Sequence, residues 1–594
     1  GDVYKRQDSK HVTESTSGQE DIQKTWWKEA IIYQIYPRSF QDSDGDGIGD
    51  LNGITSRLDY IQSLGVDIIW LNPIFLSPND DNGYDISDYR EIMREFGTME
   101  DFDRLLKEIH KREMRLVLDL VVNHTSDEHP WFEEARKSRH NPYYNYYHWW
   151  PAEKGEPPLR LSYFDEEGNA WMYNKSTDSY YLHYFSRKQP DLNWENPEVR
   201  QEIFDMMRFW FDKGIDGFRM DSISLIAKDP SFPLIDSKKY PDIFSFYAKE
   251  PRLHLYLHEM NRQVLSKYDC MSVGEGSAVM VDDVAKFVDP AREELNMLYH
   301  FDAARIRNTT LPDNPESGID YSLIALKKMF TEWDKAVDKG WPSIYLGNHD
   351  QPRMVSRFGS DKDEFRALSA KMLITFLLTM RGTPYWFAGD EIGMRNIRFD
   401  RIEDYNDIDT INRYKKAKAE GKDPQAVLDE QKETGRDNAR TPFQWDRSPE
   451  TGFTAGTPWL KVNPDYTWIN VADEEKDPTS ILNYFKKVVS FRKENPSLIY
   501  GSYHLLDAEN PQSYTFLRKT GADTYLIMLN FSPKAAISTP GIDMSNAHVL
   551  LDNYGDRSHM APQKDITLRP FEAIVFQLNH PVYESFIDSL DLLE

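Results

Sequence analysis

Four short apolar segments of this chain each end at a side chain that can exchange a proton or carry a charge. The segments and their end residues are 116–124 with His124, 215–221 with Asp221, 271–275 with Glu275, and 343–350 with Asp350. Catalytic side chains that come from several strands and meet at the carboxyl ends of those strands are typical of a parallel barrel. The pattern therefore predicts a single site for acid–base chemistry.

Arg219 stands two residues before Asp221 in the same predicted strand. Side chains alternate between the two faces of a strand, so this spacing puts the guanidinium and the carboxylate on one face. A neighbouring guanidinium lowers the pKa of a carboxyl group and favours its ionised form. We therefore expect Asp221 to be ionised. A purely structural ion pair is the alternative for these two residues.

From Trp26 onward, apolar strands alternate with amphipathic helices. Predicted strands cover 31–36 and 66–71, and predicted helices cover 54–64, 102–109 and 199–211. Strands that are apolar on both faces and separated by helices indicate a parallel sheet with helices on both sides. Because the polar residues gather at the strand ends, we predict an α/β fold, a closed (β/α)8 TIM barrel.

Three regions depart from this alternation. The segment 124–193 is rich in aromatic, Pro and Asn residues and is too long for a plain connection, so we predict an inserted subdomain after strand 3. A second irregular insert covers 393–445, with a helical patch at 411–419. From about Gly501, short alternating strands predict a C-terminal antiparallel β-sandwich. The predicted domains are 26–123 and 194–500 for the barrel, 124–193 for the insert and 501–594 for the β domain.

Residues 1–25 are expected to be a disordered tail or an assembly remnant. Residues 2–7 match one reading frame of a common sequencing adaptor, and the stretch that follows to about Gln23 is polar. Segments with so few apolar residues bury too little surface to offset the entropy of ordering.

The composition excludes several classes of partner. The 594 residues carry a formal net charge of −27, which argues against nucleic acid or an anionic membrane because phosphate contacts need clustered Lys and Arg. No apolar run reaches the ~18 residues that span a bilayer. The single cysteine, Cys270, excludes an intramolecular disulfide and a Cys-based metal site. The aromatic content of 13% suits ligands with flat apolar faces, such as sugars.

The motifs at the four segment ends resemble those of the α-amylase superfamily of glycoside hydrolases, from about Trp26 into the C-terminal domain. They are Asp-Leu-Val-Val-Asn-His at 119–124, Gly-Phe-Arg-Met-Asp at 217–221, Val-Gly-Glu at 273–275 and Asn-His-Asp at 348–350. Gln-Pro-Asp-Leu-Asn at 189–193 resembles the marker of the branch that holds oligo-1,6-glucosidases, α-glucosidases and sucrose isomerases.

This resemblance implies the catalytic roles. Asp221 is the expected nucleophile and Glu275 the expected acid/base of a retaining glycosidase, in which two carboxyl groups about 5–5.5 Å apart form and then hydrolyse a covalent glucosyl intermediate. Asp350 is the expected third acid, which binds sugar hydroxyls and distorts the ring. Since Glu275 must keep a proton near neutral pH, we expect its surroundings to be less polar or like-charged.

The resemblance also implies a blocked pocket for one terminal glucose, and therefore exo action. Asp81 and Tyr84 are expected to close the pocket, with Arg436 pairing with Asp81 and Arg440 as the weaker candidate for that pairing. The other expected substrate-binding residues are His124, Phe185, Gln189, Arg219, His349 and Arg353. Barrel packing is an equal alternative for Phe185.

The substrate is less closely defined. In this branch, Val after the nucleophile resembles α-1,6-specific enzymes and Thr or Ala resembles α-1,4-specific or sucrose-active ones, and Ser222 matches neither group. Sucrose isomerases carry an arginine-rich loop that Arg305 and Arg307 match only in part, while Gln351 resembles the hydrolases. We expect hydrolysis of short α-glucosides of the isomaltose, maltose or sucrose type, with a sucrose isomerase or transglucosidase as the alternative. A sugar-binding protein without turnover is disfavoured by the three retained acids.

The segment 42–50 carries Asp at every second position except position 48, within a Gly-rich turn. Its expected ligands are Asp42, Asp44, Asp46 and Asp50, with the Ile48 carbonyl added by the resemblance. Converging side-chain oxygens suit a hard cation, so we expect a structural Ca²⁺, or Mg²⁺, rather than a catalytic metal. Gly53 stands where an EF-hand needs its bidentate Glu, which excludes that motif. A solvated acidic turn is the alternative.

The remaining expectations concern assembly and compartment. We expect a small α-glucoside as the partner, no organic cofactor, and a monomer or weak homodimer. Relatives in this branch suggest a cytoplasmic protein, although the polar stretch before Trp26 would also suit a trimmed leader of a periplasmic or exported one.

Overall fold

The structure is a computed structural model that describes residues 24–164, 168–302, 322–521, 523–561 and 563–578. The predicted tail up to residue 23 and the two loop arginines, Arg305 and Arg307, lie outside the described residues, as does the end of the C-terminal domain after residue 578.

Eight parallel strands form the central sheet. They are β1 (Ile32–Ile35), β2 (Ile68–Leu71), β5 (Arg115–Val121), β9 (Gly217–Asp221), β10 (Met271–Glu275), β11 (Met297–Tyr299), β12 (Ser343–Ile344) and β13 (Thr383–Phe387). Their order is β11-β10-β9-β5-β2-β1-β13-β12, with parallel pairing throughout. Strands β1, β2, β9, β10 and β13 are buried along their whole length, as strands enclosed by helices must be.

The two ends of this order, β11 and β12, meet through side chains. The Ser343 hydroxyl donates to the Leu298 carbonyl oxygen at 2.9 Å, and the Tyr345 hydroxyl donates to the His300 carbonyl oxygen at 2.5 Å. Strand β12 is only two residues long, so few backbone groups remain for a ladder there. The sheet therefore curls into a nearly closed barrel, which confirms the predicted fold class.

Helices surround the barrel, and their ends are set by local sequence. The helix of residues 99–111 starts with a capping box in which Thr98 and Asp101 satisfy each other's backbone amide. The helix of residues 197–213 starts with Asn196 as its cap and Pro197 in its first turn. It ends at Gly214, whose φ of 112° is readily adopted only by glycine. These capping residues determine where each helix begins and ends, and therefore where the adjoining loops and strands start.

The α-helices, numbered in chain order, are α1 (Trp26–Glu29), α2 (Leu51–Ser56), α3 (Leu58–Ser63), α4 (Met99–Lys111), α5 (Pro130–Ala135), α6 (Pro197–Lys213), α7 (Phe244–Tyr247), α8 (Arg252–Gln263), α9 (Ala285–Val288), α10 (Ser322–Ala336), α11 (Met354–Phe358), α12 (Arg366–Thr379), α13 (Ile408–Ala419), α14 (Pro424–Thr434), α15 (Asp437–Arg440), α16 (Val471–Lys476), α17 (Ile481–Glu494) and α18 (Ser497–Tyr500). Helix α13 includes the helical patch expected at 411–419, and it lies with α14 in the second insert.

The region predicted as an inserted subdomain contains its own small sheet. This antiparallel sheet has the order β6-β8-β7, from β6 (Trp149–Pro151), β7 (Trp171–Asn174) and β8 (Ser179–Leu182). Earlier in the chain, β3 (Phe75–Leu76) and β4 (Asp88–Ile92) form an antiparallel pair on either side of the loop that carries Asp81 and Tyr84. These additions build the walls of the barrel mouth.

Two antiparallel sheets form the C-terminal domain. One has the order β14-β15-β16-β20-β18, and the other pairs β17 with β19. The strands are β14 (Ser502–Leu506), β15 (Ser513–Thr520), β16 (Asp523–Asn530), β17 (Ala536–Ser538), β18 (His548–Asp552), β19 (Ile566–Leu568) and β20 (Ala573–Leu578). Leu568 of the small sheet joins Leu526 and Phe576 of the large one in a shared core, as in a sandwich.

Within the residues described above, no helix combines the length and the apolar character that crossing a bilayer requires. The expectation of a monomer or weak homodimer stays a prediction.

Candidate active site

Arg219 lies at the centre of the barrel mouth and contacts three carboxylates. Its Nη1 donates to Asp119 Oδ1 and to Asp221 Oδ1, each at 2.8 Å, and its Nη2 donates to Glu275 Oε2. The guanidinium is fully buried. Strand register explains the arrangement, because Asp119 of β5 and Val273 of β10 both pair with Arg219 of β9. The sequence-predicted pair, Asp221 and Glu275, is thus brought together by one cation.

The two oxygens of Glu275 have different neighbours. Oε2 accepts from Arg219 and from the Tyr299 hydroxyl, the latter at 2.9 Å. Oε1 accepts from the Ser222 amide at 3.3 Å, the Ser222 hydroxyl at 3.1 Å and the Ser277 hydroxyl at 3.4 Å. The surroundings of Glu275 are therefore not less polar, because tertiary contacts from β9, β11 and its own loop converge on it. The like-charged alternative is present, since Asp119 and Asp221 share Arg219 with Glu275.

The pKa of Asp221 also departs from the expectation. Burial raises it well above its ordinary value, the nearby Glu275 raises it further, and Arg219 opposes these effects without cancelling them. Burial likewise raises the pKa of Asp119 to about 6, although Arg219 and the Tyr84 hydroxyl act in the other direction. One buried cation serves several carboxyl groups, so Asp119 and Asp221 both favour retention of a proton.

A second arginine, Arg436, lies at the opposite wall. It donates to Asp407 at 2.5 and 3.0 Å, to Asp81 Oδ1 at 3.2 Å and to Asp350 Oδ1 at 3.2 Å. The predicted Arg436–Asp81 pairing is present. Arg440 instead reaches Asp350 Oδ1 at 3.3 Å.

The acids around Arg436 respond differently to their surroundings. Burial acts to raise the pKa of Asp350, but His349, Arg436 and Arg440 outweigh it and lower that pKa below the ordinary value. Burial raises the pKa of Asp81 to about 6, although Arg436 acts to lower it. Asp350 is therefore held as a carboxylate at neutral pH.

Tyr84 and His349 stack on each other in the wall of the pocket. Their rings stack with centroids 5.2 Å apart and planes within 4°. The Tyr84 hydroxyl donates to Asp119 Oδ2 at 2.7 Å, which fixes the ring against the Arg219 cluster. Burial lowers the pKa of His349 well below its ordinary value, so the ring is neutral. With Gln34 Nε2 2.8 Å from its Nδ1, the neutral ring directs its Nε2–H toward Asp350 at 3.2 Å.

His124 and Gln189 support the loop that carries Tyr84. His124 Nε2 lies 2.8 Å from the Tyr84 carbonyl oxygen, and burial lowers the histidine pKa to about 4, so the neutral ring donates there. Gln189 donates to Asp81 Oδ2 and to the same Tyr84 carbonyl, each at 3.2 Å. Gln189 is fully buried and acts on the pocket through Asp81 and Tyr84.

These groups enclose a cavity of about 500 Å³. The predicted site residues that line it are Asp81, Tyr84, His124, Phe185, Asp221, Glu275, His349, Asp350 and Arg436. Phe185 packs against Tyr163 with ring centroids 5.3 Å apart, and it also lines the cavity. Its contact with substrate stays a prediction. Gln189 and Arg219 lie behind the wall.

Arg353 was wrongly expected to line the pocket. It is buried elsewhere, where its Nη1 donates to the Ala388 carbonyl oxygen at 2.9 Å and pairs with Asp390 at 3.2 Å. Its guanidinium also lies 4.7 Å from the centroid of the Phe387 ring. The sequence motif placed Arg353 next to Asp350, but its side chain points to the end of β13.

The acidic turn at 42–50 lies in the loop after β1. Asp42, Asp44 and Asp50 bring ligand oxygens within 4.8 Å of one another. Asp46 is not part of this group, although burial and the neighbouring Asp44 raise its pKa to about 6. Asp50 also caps helix α2 by accepting from the Gly53 amide at 2.7 Å. Three converging carboxylates with no cationic side chain among them are a donor set that fits a hard cation.

Comparison with known proteins places the chain in a family. The sequence pattern of the alpha-amylase catalytic domain matches residues 34–501, which is most of the chain. The chain belongs to the alpha-amylase family. It is accordingly a glycoside hydrolase, which agrees with its similarity to oligo-1,6-glucosidases.

The relatives of this alpha-amylase family protein cover nearly its whole length. The oligo-1,6-glucosidase of Parageobacillus thermoglucosidasius is 51% identical over 571 residues, which are 94% of this chain and 100% of the relative. The trehalose-6-phosphate hydrolase of Bacillus subtilis (strain 168) is 43% identical and covers 94% of this chain and 99% of the relative.

Among solved structures, the trehalulose synthase MutB of Pseudomonas mesoacidophila MX-45 is 42% identical, with a TM-score of 0.89, over 94% of this chain and 100% of that one. The isomaltulose synthase SmuA of Protaminobacter rubrum is also 42% identical, with a TM-score of 0.88 and the same coverage.

Three residues of the site in this family member were not predicted from the sequence. Asp119 is the first residue of the motif at 119–124, and a charged residue within an apolar strand could have indicated its role. No local sequence signal marks Tyr299 or Asp407. Tyr299 matters because it contacts Glu275, and Asp407 because it contacts Arg436, which lies 29 residues later in the chain. Only the fold brings them to the site.

We predict that Arg436→Ala lowers kcat/KM for a small α-glucoside by about 10²-fold, because three carboxylates lose their shared cation. Arg436 acts to lower the pKa of Asp350, so its removal also weakens the hold on the ionised form of that acid. Steady-state kinetics measure the loss of kcat/KM.

Arg569→Ala is the matched control for this experiment. Arg569 also bridges two carboxylates, at Asp556 and Glu572, but it lies in the C-terminal domain. We expect this variant to lose stability and to keep kcat/KM. A kcat/KM in Arg436→Ala equal to that of wild type would contradict the role given to Arg436.

Proposed function

We propose that this protein is a retaining, exo-acting α-glucosidase that hydrolyses short α-glucosides through a covalent glucosyl ester on Asp221. The observation that carries the proposal is the sharing of Arg219 by Asp221 and Glu275 at the wall of the cavity. Two carboxyl groups bound to one guanidinium fit the close spacing of a retaining pair better than the ~6.5–9.5 Å of an inverting pair.

The reaction would proceed in two balanced steps. Asp221 attacks the anomeric carbon while Glu275 gives its proton to the departing glycosidic oxygen, which leaves as an alcohol. Water then attacks the same carbon and loses a proton to Glu275, and the ester bond to Asp221 breaks. Asp350, as a carboxylate, would bind hydroxyls of the sugar ring in both steps.

Exo action is supported by the closed end of the pocket. Arg436 ties the loop that carries Asp81 to Asp350 and to Asp407 of the second insert. A sugar ring beside Tyr84 and His349 would therefore meet a charged wall, which suits a pocket for one terminal glucose. Hydrolysis is supported by the oligo-1,6-glucosidases that cover the chain at 51% and 49% identity.

A sucrose isomerase is the second candidate, because trehalulose and isomaltulose synthases resemble this chain at TM-scores of 0.89 and 0.88. Both candidates use the same double displacement and differ in the acceptor of the glucosyl group. Gln351 lines the cavity and accepts from Arg357 at 2.9 Å, and it carries the resemblance to hydrolases noted in the sequence.

We predict that the protein hydrolyses isomaltose, maltose or sucrose, and that α-glucose appears before β-glucose in a ¹H NMR time course. Retention follows from the two displacements at one carbon. β-Glucose as the first product would exclude the retaining mechanism. Trehalulose or isomaltulose as the main product from sucrose, resolved by chromatography, would favour the second candidate.

We further propose that Asp42, Asp44 and Asp50 hold a structural Ca²⁺, or Mg²⁺, with Asp46 and the Ile48 carbonyl as the additional ligands expected from the sequence. The support is the convergence of the first three carboxylates. A bound cation would neutralise them and stabilise the loop after β1, and it takes no part in the reaction steps.

We predict that Ca²⁺ at about a hundredfold excess over its Kd raises the melting temperature by a few degrees and that a chelator reverses the rise. Asp44→Asn should abolish the effect, and Asp282→Asn, at an exposed acid elsewhere, should not. Differential scanning fluorimetry provides the measurement. An equal response in both variants would show that the turn binds no specific cation.

A further inference from the structure

Ser222 has an unusual backbone conformation next to the expected nucleophile. Its φ and ψ are 41° and 34°, in the left-handed region that side chains other than glycine rarely adopt. The residue is buried and lines the catalytic cavity. A strained conformation that the surrounding fold maintains at an active site is a reason to ask what it positions.

The conformation directs two donors of Ser222 to a single atom. Its amide lies 3.3 Å and its hydroxyl 3.1 Å from Glu275 Oε1. The other carboxylate oxygen, Oε2, is held by Arg219 and by Tyr299. Oε2 is therefore engaged by the cation, and Oε1 is the oxygen that meets neutral, reorientable hydroxyl groups.

The partners of Oε1 lie on the side of the cavity. Ser222 and Ser277 line the cavity together with Glu275, whereas Arg219 and Tyr299, the partners of Oε2, do not. A leaving group protonated by Glu275 must approach from the cavity, so Oε1 is the oxygen placed to carry the transferred proton.

We propose that Ser222 is a positioning residue that holds Glu275 Oε1 in place for proton transfer in both steps of the reaction. The inference rests on the proposed function. When Glu275 protonates the departing oxygen, the C1–O bond breaks, the Asp221–C1 bond forms and Oε1 becomes negative. The Ser222 hydroxyl then donates to Oε1. In the second step Oε1 takes a proton from water as water attacks C1 and Asp221 departs.

A hydroxyl suits this position better than a fixed donor. It donates to Oε1 when the carboxylate is ionised, and it can rotate to accept when Oε1 carries the proton. Lysine or arginine there would donate only, and would stabilise the ionised form at the expense of the protonated one.

Other charged and titratable groups face Glu275 and must be held constant in any test. They are Asp119 of β5, Arg219 and Asp221 of β9, Tyr299 of β11 and Tyr345 after β12. Substitution of Ser222 changes none of these groups, so a shift in the pH–rate profile would report the lost hydroxyl.

The test compares kcat/KM against pH for wild type and four variants. Ser222→Ala and Ser222→Gly remove the hydroxyl, and the glycine variant adopts a positive φ without strain. Ser222→Thr and Ser222→Val form a second pair of nearly equal shape that differs in the hydroxyl. Two substrates are used, phenyl α-glucoside, whose leaving group needs a proton, and α-glucosyl fluoride, whose leaving group needs far less help.

We expect Ser222→Ala and Ser222→Gly to lower kcat/KM for phenyl α-glucoside about tenfold, the scale of one hydrogen bond to a charged group, and for the fluoride less than about twofold. The hydroxyl bonds both forms of Glu275, but its hydrogen bond to the charged form is the stronger one. Without it the protonated acid persists to higher pH and the basic limb moves upward. Ser222→Thr should be more active than Ser222→Val. The basic limb of its pH–rate profile should lie close to that of wild type.

Ser369→Ala is the control, because Ser369 is buried in α12, its hydroxyl donates to the Ser360 carbonyl oxygen at 3.0 Å, and it is not among the residues that line the cavity. Its basic limb should not move. Equal losses on both substrates, an unmoved limb in Ser222→Ala and Ser222→Gly, or equal behaviour of Thr and Val would overturn the proposal. Wild-type hydrolysis of phenyl α-glucoside with retention tests the proposed function separately.

Discussion

The buried guanidinium of Arg219 is the interaction on which the rest of the site depends. It holds Asp119, Asp221 and Glu275, which come from three neighbouring strands. Because one positive charge faces three carboxyl groups away from water, the cluster is short of positive charge and favours uptake of a proton. A retaining glycosidase needs one ionised carboxylate and one protonated acid at the same place, and this imbalance provides for both.

Arg436 has a complementary task at the opposite wall. It is supplied by the insert after β13, and it joins a loop of the barrel mouth to that insert through Asp81, Asp350 and Asp407. In the proposed mechanism, Arg219, from a barrel strand, positions the reacting groups, and Arg436, from an added segment, closes the pocket. This division agrees with the general plan of barrel enzymes, in which the strands carry the chemistry and the loops set the access.

The sequence predicted the features that depend on local periodicity. Asp221 and Glu275 were visible because each ends an apolar strand, and the barrel followed from the alternation of strands and helices. The neighbours of Glu275 were not predictable, because Tyr299 reaches it from an adjacent strand and Ser222 does so only through a left-handed backbone conformation. Arg353 was predicted in the pocket and lies elsewhere, because a motif gives the position of a residue in the chain but not the direction of its side chain.

The most direct test of the central claim is to trap the covalent intermediate. The protein would be incubated with 5-fluoro-α-glucosyl fluoride, digested, and searched by mass spectrometry for a glycosylated peptide. The structure predicts a glucosyl ester on Asp221, absent from Asp221→Asn. A label on another carboxyl group, or the same label in Asp221→Asn, would contradict the assignment of the Arg219-bound pair as nucleophile and acid/base.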